Sequence, residues 1–200
     1  RVRPRRVSLR RWRGGGSRNR VFGFSFFTCT GLLLEADLLF HRSLVLFSDH
    51  GYHHGEKDRV SKHSLWEESA RVPLVVVPAK SQGKQFGKAG QLCSKPVGLI
   101  DLYPTMLGMC GLPAKKSNQG DSLVPLLRNP SADWRFATLT TYARGNHSLR
   151  SERHRYLRFE DGSEELYDHA DDPNEWVNLA ARPKHAKLLE RFRRGLPTKE

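Results

Sequence analysis

The sequence lacks an apolar run long enough to cross a bilayer as a helix: no stretch reaches about 18 uninterrupted apolar residues, so a membrane-spanning helix is not expected. Cysteine is scarce. Cys29, Cys93 and Cys110 have no paired metal-ligand spacing, and their odd number argues against a complete disulfide framework. Cys110, in Cys110-Gly111-Leu112-Pro113, reads as a residue packed at a helix end. Acid is absent from residues 1–20, which hold nine arginines, so the formal charge of +13 falls to +4 without them. The basic character therefore belongs to a tail. Two readings of that tail stay open, an Arg/Gly segment with no specific partner and an arm that binds nucleic acid or an anionic membrane surface. A third treats residues 1–34 as an export signal, although the chain begins with Arg1 and shows no clean small-residue cleavage site. No internal repeat is visible.

What is present is an ordinary globular composition, 38% hydrophobic and 28% charged over 200 residues, enough for a substantial core. Residues 32–40 read as a short amphipathic helix. Leu44 to Phe47 is an apolar run suited to a strand buried on both faces of a parallel sheet, and Val72 to Val77 reads as a second buried strand with Pro73 at its start. Residues 79–95, rich in Lys, Gln, Gly and Ser, read as an exposed loop. Leu99, Ile100, Tyr103, Met106 and Leu107 then form a helical stripe, with Pro104 acceptable only in the first turn.

From Trp134 the pattern shifts to short alternating runs. Residues 138–142, 148–150, 155–159 and 165–167 are expected to form a small antiparallel sheet with Asp161-Gly162 as a hairpin turn, followed by a closing helix over about 183–194. The segment Asp171-Asp172-Pro173-Asn174 reads as a capped turn anchored by Trp176 and Leu179.

The chemistry is concentrated where the first strand ends, in Phe47-Ser48-Asp49-His50-Gly51-Tyr52-His53-His54-Gly55-Glu56. Asp49 supplies a hard oxygen donor and His50 an imidazole nitrogen, and both suit a divalent cation at the carboxyl end of a strand. Lys62 could bring an ammonium to an anion held at the same ion. Taken singly, an Asp-His pair after a strand is also a common cap or turn, and Lys62, His53, His54 and His63 could be plain surface residues. A zinc site from His50, His53 and His54 is weakly supported, because the intervening residues preserve no helical ligand face.

The order of these pieces resembles the sulfatases of the alkaline-phosphatase superfamily, most closely bacterial enzymes similar to iduronate-2-sulfatase. The matching segments are Phe47 to His53, Gly55-Glu56, Lys62 to Glu68, Arg71-Val72-Pro73-Leu74, Leu99 to Thr105, Gly120 to Leu127, Arg150 to Tyr156, Glu165 to Asp168 and Asp171 to Leu179. The resemblance covers about residues 44–197. It implies an α/β fold, an incomplete alkaline-phosphatase-like sheet flanked by helices and followed by a small antiparallel α+β subdomain. The expected organisation is a basic, disordered or aberrant segment over 1–43, a partial core over 44–130 and a carboxyl-terminal subdomain with its closing helix over 131–200.

By the same resemblance Asp49 and His50 are two ligands of a divalent cation, usually Ca2+, and Lys62 contacts the sulfate. Tyr52, His53 and His54 either line the substrate pocket or simply pack the loop; His54 stands where the bacterial relatives commonly have leucine. Asp101, Thr105 and Glu165 to Asp168 are expected to serve structure. The implied reaction is hydrolysis of a sulfuric ester, on a sulfated sugar or glycan, in the periplasm or outside the cell. The implied nucleophile is a formylglycine made from a Cys/Ser-x-Pro-x-Arg motif, which this sequence does not contain. The amino-terminal paired acids that complete the metal shell are absent too, so the resemblance implies an inactive carboxyl-terminal portion. Phosphate or phosphonate ester hydrolysis is the alternative within the superfamily.

Overall fold

The computed structural model describes residues 42–83 and 85–197, which belong to one compact unit. The Arg-rich tail, the candidate export segment and the expected helix at 32–40 lie outside the described residues. No helix among the described residues is long and apolar enough to cross a membrane.

The described residues form two sheets, both antiparallel. The first is a ribbon of β1 (Leu44–Phe47) and β2 (Leu74–Val77), with Leu44 opposite Val77 and Phe47 opposite Leu74. This corrects the expectation of a parallel strand buried on both faces: within the described residues β1 has β2 alone as a neighbour. Val45 and Val76 lie on the face that turns towards α2 (Leu102–Met109) and α3 (Val124–Arg128), where Val76 packs on Phe86, Met109 and Val124. Leu46 and Val75 point the other way and stay exposed.

Pro104 sits in the first turn of α2, where its missing N–H costs nothing. Asp101 precedes that helix as a fully buried carboxylate. It accepts hydrogen bonds from the Gly98 and Asp121 amides (2.8 and 2.9 Å) and pairs with Arg135, while Thr105 accepts from the Leu123 amide at 2.8 Å. Both residues serve the structural role expected of them. Cys110 does end the helix, but its side chain is exposed instead of packed.

The second sheet is a meander of β3 (Thr138–Thr141), β4 (His147–Arg150), β5 (His154–Arg158) and β6 (Glu164–Asp168). At the β5–β6 turn Gly162 takes a φ of 83°, and Asp161 Oδ1 accepts the Ser163 amide at 2.8 Å. Period-two alternation divides this sheet into two unlike faces. Leu149, Tyr156 and Leu166 form an apolar face covered by Leu189 and Phe192 of α4 (Ala186–Arg193). Arg150, Arg155, Leu157 and Tyr167 form the opposite face, which receives Leu65, Trp66 and Glu67. The segment that carries Lys62 is therefore seated directly on the carboxyl-terminal sheet.

The turn after β6 is capped as expected: Asp168 O accepts the Asp171 and Asp172 amides, and Asp172 Oδ2 accepts the Val177 amide at 2.7 Å. Leu179 anchors it against the core. Trp176 does not, being 60% exposed.

Candidate functional site

Asp49 and His50 follow β1 directly, where the chain leaves the ribbon. Ser48 Oγ donates to the His50 carbonyl at 2.8 Å, which turns the chain so that both side chains share one side. His50 Nδ1 lies 2.7 Å from the Gly51 carbonyl, an oxygen that can only accept, so Nδ1 donates and Nε2 is the ring nitrogen left to face a cation. That Nε2 is 3.7 Å from Asp49 Oδ2. Two ligands each about 2.0–2.6 Å from one cation span such a gap at a wide bond angle, so the pair fits two positions of a divalent-ion shell. Further ligands would have to come from solvent or other residues. Asp49 is exposed enough to receive them.

The loop then returns to α1 (Glu67–Ala70). The Gly51 amide donates to the Ser69 carbonyl at 2.8 Å, and Ser69 Oγ donates to the Lys62 carbonyl. One residue thus ties both ends of the loop, bringing the backbone beside Asp49-His50 next to the backbone of Lys62. Glycine is required at 51, because a Cβ there would lie 2.0 Å from the Glu68 carbonyl oxygen. The His53 amide donates to Ser61 O at 2.9 Å and closes the loop further. Lys62 keeps its side chain exposed.

The three residues that follow Asp49-His50 separate. Tyr52 is 42% exposed, and His54 is exposed with its ring 5.2 Å from that of Tyr52. His53 is fully buried, with Nε2 2.6 Å from Ser64 Oγ and its ring edge-on to Trp66. Its surroundings are those of a loop-packing residue. Glu56 accepts the His54 amide at 2.6 Å, and hydrogen bonds from its own amide and that of His54 hold its carboxyl below the usual range.

Sequence reasoning missed the residues that fasten this loop to the sheet. Lys57 adopts a φ of 56° and sends Nζ over the Tyr167 ring, 3.1 Å from its hydroxyl and bonded to the Glu175 carbonyl. Glu67, Arg155, Glu175, His169 and Arg150 form a charged network between α1 and the polar face of the sheet. Arg155 joins Glu67 and Glu175, and Arg150 joins Glu67 and His169. His169 accepts from Arg150 at Nδ1 (3.0 Å) and donates from Nε2 to Glu175 (2.8 Å), which fixes its tautomer.

Three potential ligand atoms from Glu67, His169 and Glu175 lie within 4.8 Å of one another. The two guanidinium groups already neutralise the two carboxylates, and both His169 nitrogens are engaged, so the cluster is satisfied without an ion. Burial pushes the Glu67 carboxyl up, but Arg155 and Arg150 together overcome it and hold it at about 2. No local motif announces this network, whose members meet only through the tertiary fold.

Comparison with known proteins places this arrangement in a class. The fold is that of the sulfatases: a structure solved in complex with D-glucosamine-2-N,6-O-disulfate superposes with a TM-score of 0.64 at 27% identity, over 77% of this chain and 33% of that one. The phosphonate monoester hydrolase of Agrobacterium radiobacter shares it, with a TM-score of 0.63 at 25% identity over 76% of this chain and 34% of that one. More narrowly, the chain belongs to the N-sulphoglucosamine sulphohydrolase C-terminal family, which it matches over residues 55–200. It is 38% identical over 155 residues to a sulfatase of Formosa agariphila, covering 77% of this chain and 29% of that protein. It is 31% identical over 164 residues to the delta 4,5-hexuronate-2-O-sulfatase of Bacteroides thetaiotaomicron, covering 75% and 33%. The chain spans about a third of the length of these relatives.

Proposed function

We propose that this chain is the sulfate-facing, cation-ligating portion of a sulfuric ester hydrolase that acts on a sulfated sugar. One observation carries the reading. Ser69 holds the Gly51 and Lys62 backbones together, so that a carboxylate, an oriented imidazole and an exposed ammonium are set around one loop. Asp49 and His50 would hold the cation, with Ca2+ the ion the sulfatase resemblance favours. When bound, the ion would draw negative charge from a sulfate oxygen. Lys62 would pair with another oxygen of the same group and offset charge that builds on it. Tyr52 and His54 would border the sugar, whereas His53 would support the loop from within.

Sulfate is preferred over phosphate or phosphonate because the family match and the two curated relatives are sulfatases. Sulfated sugar as the substrate class rests on the glucosamine disulfate of one relative and the hexuronate 2-O-sulfate specificity of the other.

The Cys/Ser-x-Pro-x-Arg motif is not in this sequence, so the 200-residue chain should bind sulfate without turning it over. Titrating the chain with CaCl2 and then Na2SO4, followed by NMR, should shift His50 first and Lys62 second. Asp49→Ala/His50→Ala should remove the Ca2+ response, and Lys62→Ala should abolish the sulfate response. Sulfate ester turnover by the purified chain would overturn the account of the missing nucleophile. Indifference of His50 and Lys62 to both ions would overturn the reading itself.

A further inference from the structure

Lys62 is followed by His63, whose ring stacks on Tyr142 with centroids 5.6 Å apart and planes 14° from parallel. The partner comes from the β3–β4 hairpin, far along the chain. Both residues are exposed, Tyr142 by 46% of its surface, so the stack stands at the surface of the protein. A stack made for burial alone would lie under the chain; this one lies on the surface beside the residue proposed to face the sulfate.

The backbone beneath each ring is tied in place. The Tyr142 amide donates to Asn146 O at 3.0 Å and closes the hairpin, and Asn146 Oδ1 accepts the Glu160 amide at 3.3 Å. Within that hairpin Ala143 takes a φ of 57°, a left-handed conformation that a residue with a Cβ seldom adopts. On the other side, the His63 carbonyl accepts Arg59 at 3.3 Å, and the preceding Lys62 carbonyl is fixed by Ser69. The backbones that carry the two rings are thus set before a ligand arrives, and the rings restrain each other through their stack, which limits the ordering cost of binding.

The outer face of such a surface stack is chemically matched to one surface of a pyranose, the side on which axial C–H bonds project. Such a contact buries apolar area without displacing hydrogen bonds of the hydroxyl groups at the ring edge. We infer that the His63–Tyr142 pair is a sugar-ring platform, a specificity subsite that seats the carbohydrate ring of a sulfated sugar while Lys62 engages its sulfate. The inference rests on the reading of Lys62 given above. It assigns Tyr142, from the carboxyl-terminal sheet, to the substrate site, and it distinguishes sulfated pyranosides from inorganic sulfate and from small flexible esters. With Tyr52 and His54 on the segment after Asp49-His50, the loop carries one tyrosine–histidine contact near each of its ends.

The test is an NMR titration of the full 200-residue chain with D-glucosamine-2-N,6-O-disulfate in parallel with Na2SO4. The sugar should shift the His63 and Tyr142 ring resonances together with Lys62, whereas inorganic sulfate should shift Lys62 alone. Tyr142→Ala should weaken sugar binding roughly three- to ten-fold, the range of a single aromatic contact, and leave sulfate binding unchanged. Tyr142→Phe should bind like the parent chain, because the ring face and not the hydroxyl makes the contact. Ring resonances that stay still while Lys62 responds to the sugar would overturn the platform and leave the sulfate reading intact. The platform is equally overturned if the rings respond alike to both probes, or if Tyr142→Ala, its spectrum otherwise unchanged, binds the sugar as tightly as the parent. If Lys62 responds to neither probe, the sulfate reading fails and the platform fails with it.

Discussion

At Glu67 burial and charge oppose each other, and two arginines decide the outcome. Its carboxyl is held at about 2 against an ordinary value of 4.5, so its ionised form stabilises the fold above pH 4.5 and that contribution disappears as the pH falls towards 2. The shift corresponds to on the order of 3 kcal/mol. Glu67→Gln should therefore flatten the acid limb of stability between pH 4.5 and 2, measured by urea unfolding at several pH values. Glu67→Ala should cost about 3 kcal/mol at pH 7, because buried Arg155 loses one of its two carboxylates and Arg150 loses its only acidic partner among the described residues. Gly51 gives a steric counterpart. Gly51→Ala forces a Cβ to 2.0 Å from a backbone oxygen, whereas Gly162→Ala meets nothing within 4 Å and is strained only by its φ of 83°. The first should lower the melting temperature well beyond the second, whose cost is about 1 kcal/mol. The Gly51 requirement was not legible in the motif, since the obstructing carbonyl belongs to Glu68 on another element.

At the scale of elements, the site is a loop stretched between β1 and α1 and stapled by one serine. Ser69→Ala removes the hydrogen bond to the Lys62 carbonyl but keeps the Gly51–Ser69 backbone bond, so it should cost about 1 kcal/mol and leave the fold intact. Amide exchange over residues 61–64 should quicken while β5 and β6 stay protected. The β1–β2 ribbon behaves differently from its sequence pattern. Its apolar run suggested a strand buried on both faces, but only Val45, Val76 and their neighbours face the α2–α3 cluster, and Leu46 and Val75 remain 41% and 47% exposed. Leu46→Thr/Val75→Thr should reduce binding of a hydrophobic dye with little change in stability, measured by dye fluorescence and thermal melting. Periodicity reports which residues are apolar; it does not report whether anything covers them. The carboxyl-terminal strands were legible because short strand-forming runs bounded by turn residues, Asp161-Gly162 among them, specify a hairpin almost locally, although both faces of β4–β6 are buried.

At the scale of the molecule, the four-stranded sheet joins the site to the core. Its apolar face rests on Phe192 and Leu189, and its polar face rests on the segment from Leu65 to Glu67 that leads out of Lys62. Phe192 is fully buried against Tyr156 and Phe136, so Phe192→Ala should cost about 3–5 kcal/mol in chemical denaturation and loosen the Lys62 loop along with the sheet. The sequence by itself determined the residue types of the candidate site, their order from Asp49-His50 to Lys62, the meander and the closing helix, because these depend on residue chemistry and short-range periodicity. Only the tertiary structure decided that β1 pairs antiparallel with β2, that His53 is buried while Tyr52 and His54 face outward, and that Glu67 meets Arg155 and Glu175. Those last contacts join residues 88 and 108 positions apart. Chain folding sets such distances, and neither hydropathy nor spacing along the sequence encodes them, since both record only near neighbours.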